Sequence, residues 1–254
     1  MLATERDQQL IRLLGDYELF STRQILKTTF PQIEKRTALR RLRKLEKEKW
    51  IRRAPGLPGG EVVWALSPVG AHKLKLDSYL EKINRNTVEH DVALNDIRME
   101  FERMGLATDW ITEQAMRRKQ DKRHGALVGQ EINPDAIFVV DVANEQKAVA
   151  LEVELHGKNS ARYRKIFRAY ADFRKIWAIW YGVTDQKLGA KVAKEWAGLG
   201  GVWPRPEFYW FLISEVFNPS MPLRLRGLNG DRLIKRPDAS HKKPAHPRAH
   251  TVGT

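Results

Sequence analysis

The chain has no cysteine among its 254 residues. That excludes a disulfide framework and any thiolate metal site, and it makes a reducing cytoplasm the expected compartment. No apolar run approaches the roughly 20 residues needed to span a bilayer. The N-terminal residues carry no apolar h-region, so neither a membrane span nor a signal peptide is expected. A phosphate-cradling glycine loop and internal repeats are also missing. Acidic residues are in short supply: 31 Asp and Glu stand against 45 Lys and Arg, for a net charge of +14 and a pI near 10.0. Such an excess points to a polyanionic partner, with DNA, RNA and an anionic membrane surface all qualifying. Hydrophobic residues make up 42% and charged residues 30%, which describes a soluble globular chain of one large or two small domains.

The basic excess is concentrated. Between Pro31 and Pro55 ten Lys and Arg face three Glu, half of the chain's whole surplus. Thr4 followed by Glu5, Arg6 and Asp7 reads as a helix cap with acids in the first turn, and Leu10, Leu13 and Leu14 mark a buried stripe. Ser21 caps a second short helix through about Lys27, and Thr28 to Pro31 breaks it. A third helix then runs from about Ile33 to Lys49. At 100° per residue Ala38, Leu42 and Leu45 share one face, while Arg36, Arg40, Arg43 and Lys47 fall on nearly the opposite side. Two strands follow, Trp50 to Arg53 and Glu61 to Leu66, joined by the loop Pro55-Gly56-Leu57-Pro58-Gly59-Gly60. Three short helices and a basic hairpin predict a winged helix-turn-helix over residues 1–76, its third helix entering the major groove. Arg36, Arg40 and Arg43, flanked by Thr37 and Lys44, are the expected DNA readers, and Lys47, Arg52 and Arg53 the expected phosphate contacts. The bland alternative is a solvated basic helix in an unrelated bundle.

Pro68 to Leu76 predicts a closing helix, and residues 77–86 a linker. A second domain is expected over residues 87–217. It opens with a helix from Thr87 to about Met104, with His90, Leu94, Ile97, Phe101 and Met104 on its apolar side and Gly105 as C-cap. Trp110 to Met116 reads as a strand and Arg117 to Gly129 as a basic loop, either a second DNA contact or solvated. Ala136–Val142 and Ala148–Leu155 then read as antiparallel strands around the loop Ala143-Asn144-Glu145-Gln146. Alternation puts Glu152, Glu154 and His156 on one face of the latter, with Asp135 near the same end. Converging carboxylates repel unless a cation neutralises them, and magnesium or manganese held by Asp135 and Glu152 is the chemistry of phosphodiester cleavage. The plainer reading is the wet face of an edge strand. A helix capped by Asn159 or Ser160 carries Tyr163, Ile166, Phe167 and Tyr170 inward and Lys158, Arg162 and Lys165 outward. Lys175–Val183 reads as a strand covered on both faces, Gln186–Leu199 as a helix and Glu207–Ile213 as a last strand. Residues 218–254 hold five of the twelve prolines, and from Lys235 onward five Lys and Arg stand against one Asp. They read as a disordered basic tail. His241, His246 and His250 in it allow adventitious metal binding.

The order helix, three strands, helix, strand, with Pro134-Asp135 on the second strand and Glu152-x-Glu154 on the third, resembles the PD-(D/E)XK nuclease core. Glu154 stands where that family has lysine, and the resemblance implies Lys158 as a substitute from the next helix. Asp135, Glu152, Glu154 and Lys158 are thus the catalytic set if the domain cleaves. A broader likeness runs from the winged helix to about Gly182. Thr87-Val88-Glu89-His90-Asp91-Val92-Ala93-Leu94-Asn95-Asp96-Ile97-Arg98, Pro134-Asp135-Ala136, and Leu151-Glu152-Val153-Glu154-Leu155 with Lys158, Arg162 and Tyr163 resemble the replication-relaxation family. The resemblance implies double-stranded DNA binding, bacterial plasmids or mobile elements, and an accessory role beside a relaxase in the relaxosome. The expected function is therefore a DNA-binding accessory protein of plasmid mobilisation, conjugation or replication, needing no cofactor to bind, with a nuclease-like and non-catalytic second domain. A magnesium-dependent endonuclease is the alternative. A ligand-sensing transcriptional regulator also fits the first domain, though three carboxylates and a basic stripe make a poor small-molecule pocket. A homodimer on palindromic DNA is open, without a coiled-coil seam to enforce it.

Overall fold

The computed structural model describes residues 3–77, 79–123, 133–171, 175–200 and 206–236. It divides the chain into two compact units, Met1–Asp96 and Ile97–Thr254. Both mix helices and strands, so the chain is α+β.

The first unit begins with α1 (Glu5–Tyr17), whose Thr4 cap and Asp7 form a reciprocal capping box. Its buried stripe is Leu10, Ile11 and Leu14, with Ile11 taking the place expected of Leu13. A three-residue strand that the sequence does not announce, β1 (Leu19–Ser21), leads into α2 (Thr22–Thr28), capped by Ser21 as expected. Then come α3 (Lys35–Lys47), β2 (Ile51–Ala54), β3 (Val63–Leu66) and α4 (Pro68–Lys73). The strands form an antiparallel sheet in the order β1-β3-β2, with Arg53 opposite Trp64 and Leu19 opposite Ala65. Helix α4 lies close to the sheet because Gly70 has no side chain: a Cβ there would sit 2.0 Å from the Trp50 carbonyl oxygen.

The long helix α5 (Val88–Arg103) ends at Gly105, which takes the left-handed conformation (φ 64°) expected of a C-cap. Its first half belongs to the first unit, whereas the sequence places the whole helix in the second domain. The reason is packing. Val88 and Val92 are buried in a cluster with Leu19, Ala54, Val63 and Ala65, and Leu80 and Ile83 of the expected linker pack against it. Asn95 adds amide hydrogen bonds to the carbonyls of Tyr17 (3.1 Å) and Leu19 (2.7 Å).

The second unit continues with β4 (Thr108–Thr112), α6 (Glu113–Arg123), β5 (Ala136–Val142), β6 (Glu145–Glu154), α7 (Ser160–Ala171), β7 (Ala178–Val183), α8 (Gln186–Ala197), β8 (Glu207–Leu212), α9 (Ile213–Val216), β9 (Leu223–Gly227) and β10 (Arg232–Ile234). They build one seven-stranded sheet in the order β10-β9-β8-β7-β6-β5-β4. The central pairs β6-β7 and β7-β8 are parallel, and the outer pairs are antiparallel. Consecutive parallel strands need crossover helices, and α7 and α8 supply them. Both cover one sheet face through Tyr163, Phe167, Tyr170, Leu188, Val192 and Trp196, packed on Ala150, Ile179, Tyr181 and Phe208. Phe101, Phe138, Trp180 and Phe211 form an aromatic cluster, with ring centroids 5.5 to 6.0 Å apart where they meet.

Two expectations are corrected here. The basic stretch expected as a loop from Arg117 starts as helix, because Glu113 to Arg123 consists almost entirely of strong helix formers and Arg117 pairs with Glu113 one turn back. Its remainder, 124–129, lies outside the described residues. Likewise the chain does not leave the fold at residue 218. Leu223 and Leu225 are fully buried while Arg224 points outward, a period-two pattern that adds β9 to the sheet and β10 after it. Residues 237–254, with His241, His246 and His250, lie outside the described residues.

Candidate functional site

Two arrangements carry the chain's chemistry, one in each unit. The first is the outer face of α3. Ala38, Leu42 and Leu45 bury its inner face, and that 3.6-residue periodicity turns Arg36, Thr37, Arg40, Arg43, Lys44 and Lys47 outward to solvent. The five cations among them have no hydrogen-bond or ion-pair partner among the described residues. Arg41, on the flank, behaves differently. Its Nε donates to Asp7 Oδ1 at 2.8 Å and its Nη2 pairs with Oδ2 of the same carboxylate. That bidentate contact fixes α3 on α1.

The two hairpin arginines are engaged within the unit. Arg52 donates to the carbonyls of Leu80 and, at 3.3 Å, Glu81. Arg53 pairs with Glu46 at 2.9 Å and lies 5.6 Å from the Trp64 ring centroid. Both are among the residues expected from the sequence to contact phosphate.

The second arrangement is the carboxylate cluster. The β5-β6 register sets Ala136 opposite Leu151, so Asp135 lies across from the end of β6 where Glu152 and Glu154 sit. The sequence places these residues in one neighbourhood, as the structure does. It does not foretell their burial: Glu152 is 8% and Glu154 4% exposed. Each carboxylate meets a protein partner. Asp135 Oδ2 accepts the Val153 amide at 2.7 Å, Glu152 Oε1 accepts the Tyr170 hydroxyl, and Glu154 Oε2 pairs with Lys158 Nζ. The Lys158 amide in turn donates to the Tyr163 hydroxyl at 3.0 Å. Tyr170 and Tyr181, which the sequence marks only as a core aromatic and a strand residue, complete the cluster. Burial, and then the nearby charges of Glu152 and its neighbours, push both phenols well above their ordinary value. The Tyr181 hydroxyl is buried with no hydrogen-bond partner among the described residues.

Magnesium binds a few carboxylates together with water and phosphate oxygens, which requires carboxylate oxygens facing an open position. Asp135 and Glu152 supply the right donor chemistry. As arranged, however, Glu152 is enclosed against Tyr170 and Glu154 is taken by Lys158, and among the described residues no group of three or more His, Asp or Glu side chains is placed to hold an ion. This donor set fits a closed polar cluster better than a hard-cation cage.

The first unit thus carries a basic, outward-facing helix, and the second a buried carboxylate cluster at the C-terminal end of β6. The model of the replication-relaxation family matches residues 11–185, more than half of the chain, and the protein belongs to that family. Membership suggests a role in plasmid replication or mobilisation. The comparisons with curated proteins and with solved structures gave no match. No helix among the described residues is long and apolar enough to cross a membrane.

Proposed function

We propose that this protein is a double-stranded DNA-binding accessory factor of plasmid mobilisation or replication, acting beside a relaxase in the bacterial cytoplasm. In this reading the first unit is a winged helix-turn-helix with α3 in the major groove. The observation that carries it is the set of five exposed α3 cations without partners among the described residues, beside an Arg41 that is clamped on Asp7. Arginines on an unobstructed helix face offer bidentate donors to guanine, and the neighbouring lysines offer point charges to phosphate. Arg36, Arg40 and Arg43 read bases, with Thr37 and Lys44 beside them and Lys47 on the backbone.

The second unit is read as a PD-(D/E)XK-like fold that does not cleave, since its carboxylates are occupied by tyrosine, lysine and a backbone amide. Binding then needs no cofactor. A magnesium- or manganese-dependent endonuclease using Asp135, Glu152, Glu154 and Lys158 is the second reading. The buried Tyr181 hydroxyl favours it, because it lies beside Glu152 at the strand ends where open α/β sheets bind ligands.

The test is selection of a preferred duplex from a random pool, followed by competition with a scrambled duplex. Arg40→Ala/Arg43→Ala should abolish the preference, since each bidentate arginine–guanine pair supplies about 1–3 kcal/mol of discrimination. A preference unchanged in the double variant removes the proposal. Nicking of supercoiled plasmid with magnesium or manganese, abolished in Glu152→Ala and with EDTA, would instead establish the endonuclease.

A further inference from the structure

The second unit carries a charged surface that neither the α3 reading nor the carboxylate cluster uses. Helix α7 contains Arg162, Arg164, Lys165 and Arg168 and no acid, and all four are exposed. Helix α8 contains three lysines and a single acid, Glu195. The two helices pack side by side on one sheet face, with the Phe167 and Trp196 rings 5.4 Å apart beneath them. Arg164 of α7 pairs with Glu195 of α8 at 3.7 Å, and Lys191 Nζ of α8 donates to the carbonyl of Lys158, just before α7, at 2.7 Å. Their charges therefore form one strip rather than two separate stripes.

Elsewhere in this unit, six of the described arginines pair with acids. Arg98 pairs with Glu102, Arg103 with Glu100, Arg117 with Glu113, Arg224 with Asp231, Arg226 with Glu215 and Arg232 with Glu207. On the α7-α8 strip, Arg162, Lys165, Arg168, Lys187 and Lys194 have no side-chain partner among the described residues. Like charges on one strip repel, and among the described residues the acids of the two helices that offset them are Glu195 and the α8 cap Asp185. None of the large exposed hydrophobic residues, Val69, Phe217, Met221, Leu228 and Leu233, lies on either helix, so the strip lacks the apolar anchors of an interfacial membrane helix.

We infer that the α7-α8 strip is a second, sequence-independent contact for the phosphate backbone of duplex DNA. The inference rests on the reading that the protein binds duplex DNA, but it places a separate contact on a different unit. Arg162 to Arg168, and Lys187 to Lys194, each cover about 10 Å of helix at a rise of about 1.5 Å per residue. Helices in contact lie about 8–10 Å apart. A strip of those dimensions spans a minor groove of about 6 Å and meets the phosphates on both of its rims. A relaxation factor holding a chosen site through α3 would thereby hold flanking DNA without regard to its sequence.

The experiment uses the full chain and measures affinity for a random-sequence duplex across a salt series. The variant is Arg162→Gln/Lys165→Gln/Arg168→Gln, whose side chains are all exposed and leave the core intact. At about 0.9 for each phosphate contact, the slope of log affinity against log salt should become shallower by about 2.7, with site preference retained. If that variant does not fold, Lys187→Gln/Lys194→Gln on α8 should show a change of about 1.8. A wild-type slope in the folded variant overturns the inference, as does a slope change seen only with duplex RNA or with binding to anionic phosphatidylserine vesicles. Failure of the α3 reading has a different signature: Arg40→Ala/Arg43→Ala would keep site preference whatever the α7-α8 variant does.

Discussion

Asp7 of α1 receives Arg41 of α3 through both carboxylate oxygens, and the same Oδ2 accepts the Thr4 amide at 2.7 Å and the Thr4 hydroxyl at 2.6 Å. One carboxylate thus caps the first helix and orients the third. Burial alone would raise its pKa, but the hydrogen bonds from Arg41 and Thr4, with the Arg41 charge, prevail and hold it below its ordinary value near 3.8. Removing one partner of a buried pair strands the other, at about 3–5 kcal/mol. Because the Arg41 side chain stays 23% exposed, Asp7→Ala should cost about 2–3 kcal/mol in denaturant unfolding. The pH dependence follows from the sign of the shift. A depressed carboxylate stabilises the fold fully above its unfolded value, and that contribution disappears as pH falls through the lower folded value. Wild type should therefore lose stability below about pH 4 more steeply than Asp7→Asn.

Lys158 tests what the acidic cluster is for. Its ammonium pairs with Glu154, which is almost wholly buried, so Lys158→Met leaves a carboxylate without its counter-charge. Unfolding experiments should show a loss of about 3 kcal/mol. Adding Glu154→Gln should recover most of it, because two neutral side chains carry no uncompensated charge. Additive losses in this double-mutant cycle would mean that the pair contributes nothing as a pair.

The pattern of these contacts explains what could be read from the sequence. The inner face of α3, the caps at Thr4 and Ser21, and the fully buried strand β7 follow from local periodicity and capping chemistry, and they stand where the sequence puts them. The Asp7-Arg41 pair joins positions 34 apart, and no local pattern encodes it. The β5-β6 turn is two residues, Ala143 and Asn144, both at positive φ, rather than the four-residue loop expected. Alanine is a poor marker of that turn, which Asn-Gly would have announced. Alternation correctly puts Glu152 and Glu154 on the same face of β6. It cannot tell that α7 covers that face with Tyr163 and Tyr170, because coverage depends on where the crossover helix packs.

Gly189 in α8 is another residue whose role becomes visible only in three dimensions. A Cβ there would lie 2.2 Å from the Trp210 ring, which is itself held by Arg226 at 4.8 Å from its centroid. Alanine normally favours a helix interior over glycine by about 1 kcal/mol. Here overpacking should prevail, and Gly189→Ala should lower stability by about 1–3 kcal/mol, read as a lower melting temperature. A melting temperature at or above wild type would show that α8 moves off Trp210 freely.

The two buried phenols make opposite predictions from the same cluster. Tyr170 donates to Glu152, so Tyr170→Phe leaves that carboxylate short of a donor and should cost about 1–3 kcal/mol. The Tyr181 hydroxyl has no partner among the described residues, and Tyr181→Phe should be neutral or slightly stabilising. Both phenols lie well above their ordinary value of 10.0, burial being the larger cause. An acid whose folded pKa is raised favours the fold below its unfolded value, and that stability is lost as pH climbs above it. Wild type should therefore destabilise above about pH 10, and Tyr181→Phe should remove part of that loss without lowering neutral-pH stability. If Tyr181→Phe instead costs stability at neutral pH, the hydroxyl holds a bound group beside Glu152. The cluster would then be a ligand site rather than a closed polar core.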